Sequence, residues 1–178
     1  MILAIGPWTS TLHCDPRVHL PIRAERGQVI YADRPGGNPQ RELCFYDEAT
    51  GLYTHADGNT NLVGLDWDFD HVWGPDDYAR DPDPKYIEAA LVALGYRFPA
   101  LARSRFIRGV VGLYDFTPDG LPIIDGPFEI DGYYVAAGFS GAGFKSAPAT
   151  GLGLAELVLD GRATSVDIEF LRLSRFAR

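Results

Sequence analysis

Residues 132–150 read Gly-Tyr-Tyr-Val-Ala-Ala-Gly-Phe-Ser-Gly-Ala-Gly-Phe-Lys-Ser-Ala-Pro-Ala-Thr, and this stretch decides the fold. The apolar run 133–137 predicts a buried strand, and three glycines follow within six positions. A helix is predicted over about 147–159, with Asp160-Gly161 as its stop signal. A strand, a glycine-rich turn and a helix N-terminus gather backbone N–H groups around an anion. The turn is therefore either a ligand-binding turn or a tight structural turn.

The glycine-rich turn departs from two known nucleotide-binding motifs. A P-loop needs Gly-Lys followed by Ser or Thr, and Phe144 separates Gly143 from Lys145. A dinucleotide fingerprint would place a glycine where Ser146 stands. Tyr114, at the end of a predicted strand, and Lys145 are the polar candidates near the turn. The Lys145 ammonium could hold a substrate carboxylate or another anionic group, and the alternative is a solvated lysine beside a sheet-end tyrosine.

Composition restricts the class of protein. The 178 residues make one domain's length, and 46% hydrophobic with 22% charged residues predict a packed core. The net charge of −8 argues against a nucleic-acid partner. No apolar run approaches the roughly 20 residues that span a bilayer, and no signal-peptide pattern is present. Cys14 and Cys44 are interpreted as reduced thiols, so a cytoplasmic location without a membrane partner is expected.

Upstream of the turn, the sequence predicts an antiparallel sheet over 17–70. Asp57-Gly58 lies between the apolar runs 52–55 and 61–69, and Asp-Gly in that setting is a strong hairpin signal. In the second arm apolar residues alternate with Gly64 and three aspartates, which predicts a half-buried strand with one acidic face. The remaining strands are predicted at 2–5, 17–32, 41–47, 105–114 and 123–124.

Two helices complete the expected α+β fold class. The first is predicted to begin with Asp83 as its cap and Pro84 at its first position, and to end at Gly95. Its predicted inward face consists of Ile87, Ala90, Leu91 and Leu94. The predicted inward face of the second helix consists of Leu152, Ala155, Val158 and Leu159.

No metal site is predicted. Strand alternation already explains the spacing of Asp66, Asp68 and Asp70, and a calcium loop would need Gly and Glu where His71 and Asp77 stand. The histidines and cysteines do not show the spacing of zinc ligands.

Two blocks of the sequence resemble a known family. Residues 108–125 read Arg-Gly-Val-Val-Gly-Leu-Tyr-Asp-Phe-Thr-Pro-Asp-Gly-Leu-Pro-Ile-Ile-Asp. Together with 132–150 they resemble the C-terminal half of the FAD-dependent amine oxidoreductases, the family of D-amino-acid oxidase, sarcosine oxidase, glycine oxidase and dimethylglycine dehydrogenase. Residues 4–10 and 23–29 resemble further segments of that family, and the similarity runs in order from about residue 3 to residue 162.

The resemblance implies a domain organisation. Residues 1–16 and 105–165 correspond to the C-terminal part of an FAD-binding domain, 17–104 to a substrate-binding antiparallel sheet, and 166–178 to a C-terminal tail. The family's Gly-x-Gly-x-x-Gly turn, which binds the ADP part of FAD, is not in this sequence. We therefore expect the C-terminal portion of an enzyme, inactive alone, and either unstable or dependent on a partner chain that supplies the N-terminal FAD-binding half.

The resemblance also implies the site residues. In the family the turn matching 139–145 lies against the isoalloxazine of the flavin. Lys145 matches the lysine that contacts the substrate carboxylate in sarcosine oxidases, and Tyr114 matches a position facing the substrate, so both are expected to be catalytic. Gly112 stands where monomeric sarcosine oxidases carry the flavin-linked cysteine, so FAD is expected to be non-covalent. The oxygen-activating lysine of those enzymes falls near Leu62, which makes an electron acceptor other than oxygen plausible. The expected cofactor-binding residues are Gly138, Phe139, Ser140, Gly141, Ala142, Gly143, Phe144 and Lys145.

The implied activity is oxidation of the C–N bond of an amine or amino acid such as sarcosine, glycine or a D-amino acid. Hydride would pass to flavin N5, and water would hydrolyse the imine product. Two alternatives stay open: a non-catalytic binding or regulatory module that has lost the cofactor half-site, and a phosphate-ligand binder that uses the 138–145 turn.

Overall fold

The computed structural model describes the chain in five stretches: 1–12, 17–35, 44–66, 69–129 and 132–177. They form two compact units. The first consists of Met1–Glu25, His71–Asp77 and Leu113–Arg178, and the second of Arg26–Asp70 and Tyr78–Gly112. Each unit combines a sheet with a helix, which confirms the predicted α+β class.

The described elements follow one another in chain order. The strands are β1 (Ile2–Leu3), β2 (Arg23–Asp33), β3 (Phe45–Asp47), β4 (Leu52–Asp57), β5 (Thr60–Leu65), β6 (Asp70–His71), β7 (Phe106–Phe116), β8 (Ile123–Asp125) and β9 (Tyr134–Ala137). The α-helices are α1 (Pro84–Arg97) and α2 (Gly143–Asp160). Short 3-10 helices lie at Gly6–Ser10, Pro99–Leu101, Glu169–Leu171 and Leu173–Phe176.

The first unit is built on a three-stranded sheet in the order β1-β9-β8, with β1 parallel and β8 antiparallel to β9. All four residues of β9 are buried, as the apolar run predicts. Since successive side chains of a strand point to opposite faces, β9 contributes to two cores. One core contains Leu154 and Leu157 of α2 together with Leu171. The other contains Val18 and Ile22.

The second unit contains most residues of a six-stranded sheet in the order β3-β4-β5-β2-β6, with β7 also paired to β2. The predicted hairpin is confirmed as β4 and β5, whose last pair is Asp57 with Thr60 around Gly58 at φ +55°. One face of this sheet packs on α1, whose Ala90 and Leu94 are fully buried. The hydrophobic periodicity of α1 is thereby confirmed.

Two strands are shorter at their ends than predicted. The strand expected over 2–5 ends at Leu3, because Gly6 at φ +55° and Pro7 begin a 3-10 helix. The strand expected over 17–32 begins at Arg23, because Pro21 has no N–H to donate to a sheet. In the predicted strand 41–47, β3 begins at Phe45, and residues 41–43 lie outside the described part of the chain.

The prediction that the acidic strand continues through residue 69 was wrong. β5 ends at Leu65, and Asp70 with His71 forms the separate strand β6, which pairs with β2 rather than extending the hairpin. The amide of Asp66 donates to the carbonyl of Gly51, 2.9 Å away, at the end of the hairpin. Residues 67 and 68 lie outside the described part of the chain.

The predicted end of the first helix was also wrong. α1 continues through Gly95 to Arg97. Gly95 is needed for close packing, because a Cβ there would lie 3.0 Å from the backbone of Ala102. Asp83 takes the N-cap position as predicted, but its side chain makes no capping hydrogen bond.

The second helix differs from the prediction in its start and in its buried face. α2 begins at Gly143 rather than 147, so the last residues of the predicted turn form its first helical turn. Its buried residues are Gly153, Leu154 and Leu157. The predicted inward residues are exposed on the surface of the unit: Leu152, Ala155, Val158 and Leu159. The helix is apolar on more than one side, so periodicity alone could not identify the side that packs on the sheet.

Candidate functional site

The turn between β9 and α2 is held in a left-handed backbone conformation. Gly138 has φ +75° and Gly141 φ +83°. A Cβ on Gly138 would lie 2.4 Å from the Thr117 side chain, so glycine is required there for space as well as for conformation. Ser140 has φ +50°, which is uncommon for a residue with a side chain, and its Oγ donates to the carbonyl of Gly138 at 3.2 Å.

Asp115, near the end of β7, anchors this turn. The Gly138 N–H donates to Asp115 Oδ2 at 2.6 Å, and the Ser140 N–H donates to the Asp115 carbonyl at 2.9 Å. Burial raises the pKa of the Asp115 carboxyl, and the backbone amides of Gly138 and Phe139 oppose that rise. Sequence reasoning missed Asp115. The available signal was a carboxylate between Tyr114 and Phe116, at the end of a strand of otherwise apolar residues.

The N-terminus of α2 lacks a side-chain cap. Ala142 occupies the N-cap position without a capping hydrogen bond, and the first turn contains no acidic residue. Helix geometry leaves the N–H groups of Gly143, Phe144 and Lys145 without acceptors inside the helix. With the positive end of the helix dipole, these groups can stabilise a negative charge.

A cavity of about 570 Å³ opens beside the turn. Its lining residues belong to the first unit: Ala4, Gly6, Leu113, Tyr114, Asp115, Ala136, Phe139, Gly141, Gly143, Phe144, Ala147, Thr150, Gly151 and Leu154. Two glycines leave open space in the lining, since a Cβ on Gly6 or Gly151 would meet nothing within 4 Å. An apolar wall with unpaired amides at one end fits an aromatic ring system that carries a polar, anionic edge.

The structure brings Tyr114 and part of the predicted turn together. Tyr114 lies against the backbone of Gly141, where a Cβ would be 3.3 Å from its ring. Of the expected cofactor-binding residues, Phe139, Gly141, Gly143 and Phe144 line the cavity. Gly138, Ser140, Ala142 and Lys145 are not in the lining; Lys145 is exposed in the first turn of α2.

Among the described residues, no group of three or more His, Cys, Asp or Glu side chains could hold a metal ion. None of the described helices has both the length and the hydropathy needed to cross a membrane.

The chain is similar to known flavoenzymes. Residues 1–157 match the family described as FAD dependent oxidoreductase (DAO). Sarcosine oxidase subunit beta of Rhizobium meliloti (strain 1021) is 37% identical over 105 residues, which are 59% of this chain and 25% of that protein. L-Proline dehydrogenase from P. horikoshii superposes with a TM-score of 0.84 at 25% identity, covering 98% of this chain and 46% of that one.

A second solved structure, glycine oxidase from Geobacillus kaustophilus, has a TM-score of 0.76 at 21% identity and shares the fold over 99% of this chain and 45% of that one. The chain thus spans less than half the length of each of these three proteins. The resemblance carried by residues 108–125 and 132–150 is confirmed, and with it FAD as the cofactor of the family. The match extends over most of the sequence, so this chain belongs to the DAO family of FAD-dependent oxidoreductases.

Proposed function

We propose that this chain forms the flavin-facing part of an oxidoreductase that oxidises the C–N bond of an amine or amino acid, such as sarcosine, glycine or a D-amino acid. The observation that carries the proposal is the uncapped N-terminus of α2, which meets the left-handed turn at the edge of an apolar cavity. FAD, when bound, supplies the acceptor for the substrate's hydride. The family membership supports this choice of cofactor.

The residues of the turn would hold the pyrimidine end of the flavin. The amides at the start of α2 are placed to stabilise negative charge there without rearrangement. Phe139 and Gly141 would form the apolar surface beneath the ring, and no cysteine occupies position 112, which supports non-covalent binding. We propose Tyr114, whose ring lies on Gly141, as the side chain that faces the substrate.

The Lys145 ammonium is the proposed partner of a substrate carboxylate. It is exposed in the first turn of α2. A mobile ammonium of this kind attracts a carboxylate by charge rather than by a fixed bidentate geometry. The proposed substrate class is therefore an amine that carries a carboxylate.

We further propose that a second polypeptide half, carrying the ADP-binding turn of the family, completes the enzyme and that the isolated chain is inactive. The outer face of α2 supports this proposal, since Leu152 is 48% exposed and Leu159 81% exposed. β1 lies at the edge of its sheet with Ile2 half exposed. An apolar helix face and an open sheet edge are surfaces that another chain or segment normally covers.

The first experiment is a flavin titration of the purified chain, read by absorbance and by quenching of flavin fluorescence. Riboflavin and FAD should bind with similar affinity, because the cavity faces the ring rather than the ADP part. Inorganic phosphate and AMP should not compete. Competition by either ligand would instead support the phosphate-binding alternative.

A chimera tests the complete function. The part of P. horikoshii L-proline dehydrogenase that this chain does not match would be joined to this chain. The chimera should be yellow and should reduce an electron acceptor in the presence of sarcosine, glycine or D-amino acids. A folded chimera that binds no flavin would contradict the proposed site, whereas one that binds flavin but oxidises no amine would favour a non-catalytic module.

A further inference from the structure

The anchoring of the turn depends on one buried carboxylate. Asp115 is 8% exposed, and the ion pairs recorded for the described residues do not include it. A carboxylate removed from water without a cation is costly unless hydrogen bonds satisfy it. Backbone amides of the turn provide those bonds, beginning with Gly138 at 2.6 Å. A leucine there would leave the Gly138 amide without this acceptor, so the carboxylate serves the turn.

Asp115 contacts the turn at two points. Its side chain accepts from Gly138, where the chain leaves β9, and its carbonyl accepts from Ser140 two residues later. The neighbouring Thr117 N–H donates to Ser140 Oγ at 3.3 Å. The polar groups near the start of the turn therefore point back towards β7. The amides at the start of α2, which follow them, are left free to face the cavity.

We propose that Asp115 is the positioning residue of the flavin-facing turn: its carboxylate fixes the Gly138 amide and thereby sets the orientation of the N-terminus of α2. The relevance to flavin rests on the proposed function, whereas the control of the turn's conformation does not. Asp115 acts through the backbone, and we assign it no contact with substrate.

Two substitutions distinguish the effect of the Gly138–Asp115 hydrogen bond from the effect of side-chain shape at position 115. Asp115→Asn keeps an oxygen that can accept from Gly138, and Asp115→Leu keeps the branched shape, with methyl groups larger than the oxygens, and removes both side-chain acceptors. Backbone amide NMR of the full chain should show a downfield Gly138 resonance in the parent. That resonance should be partly retained in the asparagine variant and lost in the leucine variant. Hydrogen exchange at Gly138 should be about tenfold faster in the leucine variant, as expected for a buried amide that loses its acceptor.

Asp125 provides a control for a buried carboxylate bound by backbone amides, although, unlike Asp115, it also pairs with Arg172 at 3.5 Å. It is also 8% exposed, and its carboxylate accepts from the backbone N–H groups of Gly126 at 2.8 Å and Leu173 at 2.9 Å. It lies on β8, away from the cavity lining. Asp125→Asn and Asp125→Leu should lower stability without moving the resonances of Gly138 and Ser140 and without changing riboflavin affinity.

Riboflavin titration is the second readout. The affinity should fall about tenfold in Asp115→Leu and recover most of that loss in Asp115→Asn, as expected when one well-placed hydrogen bond is lost and then restored. Unchanged Gly138 and Ser140 resonances in a folded Asp115→Leu variant would overturn the proposal. If Asp115→Leu alters these resonances but the parent chain binds no flavin, the positioning role would be upheld and the proposed function contradicted.

Discussion

At the residue scale, the ion pair of Asp119 and Arg175 gives the site region a dependence on acid. Arg175 donates to both carboxylate oxygens of Asp119, at 2.8 and 3.2 Å, and it also binds the carbonyl of Leu121 at 2.7 Å. The guanidinium lowers the pKa of Asp119 from 3.8 to about 2. A lowered pKa favours folding only while the group is ionised in the folded state. The contribution is therefore complete above about pH 4 and disappears as the pH falls towards 2.

We predict that Arg175→Gln destabilises the chain by about 1 kcal/mol or less at neutral pH, since the pair is partly exposed and screened. The difference between parent and variant should shrink as the pH falls through the window set by the two pKa values of Asp119. Urea unfolding at neutral pH, at pH 4 and near pH 2.5 measures it. A difference that stays constant over that range would show that the Asp119 carboxylate is not its source.

The N-cap of α2 is the position where a single charge tests the flavin site. Ala142→Asp would place a carboxylate beside the amides of Gly143 and Phe144, where negative charge is favourable to the helix. We predict that flavin affinity falls at least about tenfold while thermal stability does not decrease. Ala142→Asn is the control of equal shape without charge. Equal flavin binding by the two variants would show that anionic flavin does not approach this helix end.

At the element scale, Arg26 ties the segment 78–83 to β2. Its guanidinium is buried and binds the Asp83 carboxylate at 2.7 Å, with further bonds to the carbonyls of Asp81 at 2.7 Å and Ala79 at 2.9 Å. Gln28 exchanges two hydrogen bonds with Asp83, each 2.8 Å long. The carboxylate expected to cap α1 instead binds the neighbouring strand.

We predict that Arg26→Met destabilises the chain by about 2 kcal/mol, because the Asp83 carboxylate and the carbonyls of Ala79 and Asp81 lose the buried guanidinium that donates to them. The pKa of Asp83, which Arg26 holds below its usual range, should rise towards that range. Arg26→Lys keeps the charge but not the fork of donors, so it should recover only part of the loss. Urea unfolding and protease sensitivity at 78–83 measure the effect. Full recovery with lysine would mean that charge alone is needed.

Patterns among neighbouring residues predicted where helices and strands lie better than they predicted what packs against them. The Asp57-Gly58 hairpin and the Asp83-Pro84 helix start depend on neighbouring residues in sequence, and both are confirmed. The buried face of α2 and the role of Gly95 depend on what packs against them, which no local pattern contains. For the site, the glycine spacing identified the turn, but Asp115 lies more than twenty residues earlier and is brought to Gly138 only by the fold.

At the scale of the whole molecule, the outer face of α2, which contains Leu152 and Leu159, allows assembly to be tested without disturbing folding. Leu152 is 48% and Leu159 81% exposed, whereas Leu154 is 8% exposed. We predict that Leu152→Lys with Leu159→Lys leaves the unfolding free energy of the chain nearly unchanged and lowers the FAD affinity of the chimera to that of the isolated chain. Leu154→Ala, the control within the core, should destabilise the chain by about 3 kcal/mol. A chimera with both lysines that keeps the FAD affinity of the parent chimera would show that this face stays open to solvent.

The first unit is assembled from three separate stretches of the chain, and its parallel strand pair joins Ile2 to Tyr134. On a ribosome, β1 must therefore wait without its partner until more than 130 further residues have been synthesised. Long-range pairing of this kind closes a large loop before any contact rewards it, which slows folding. The second unit, whose hairpin and helix are local, is ready to form earlier. During synthesis, the second unit can therefore fold before the flavin-facing turn of the first unit has been made.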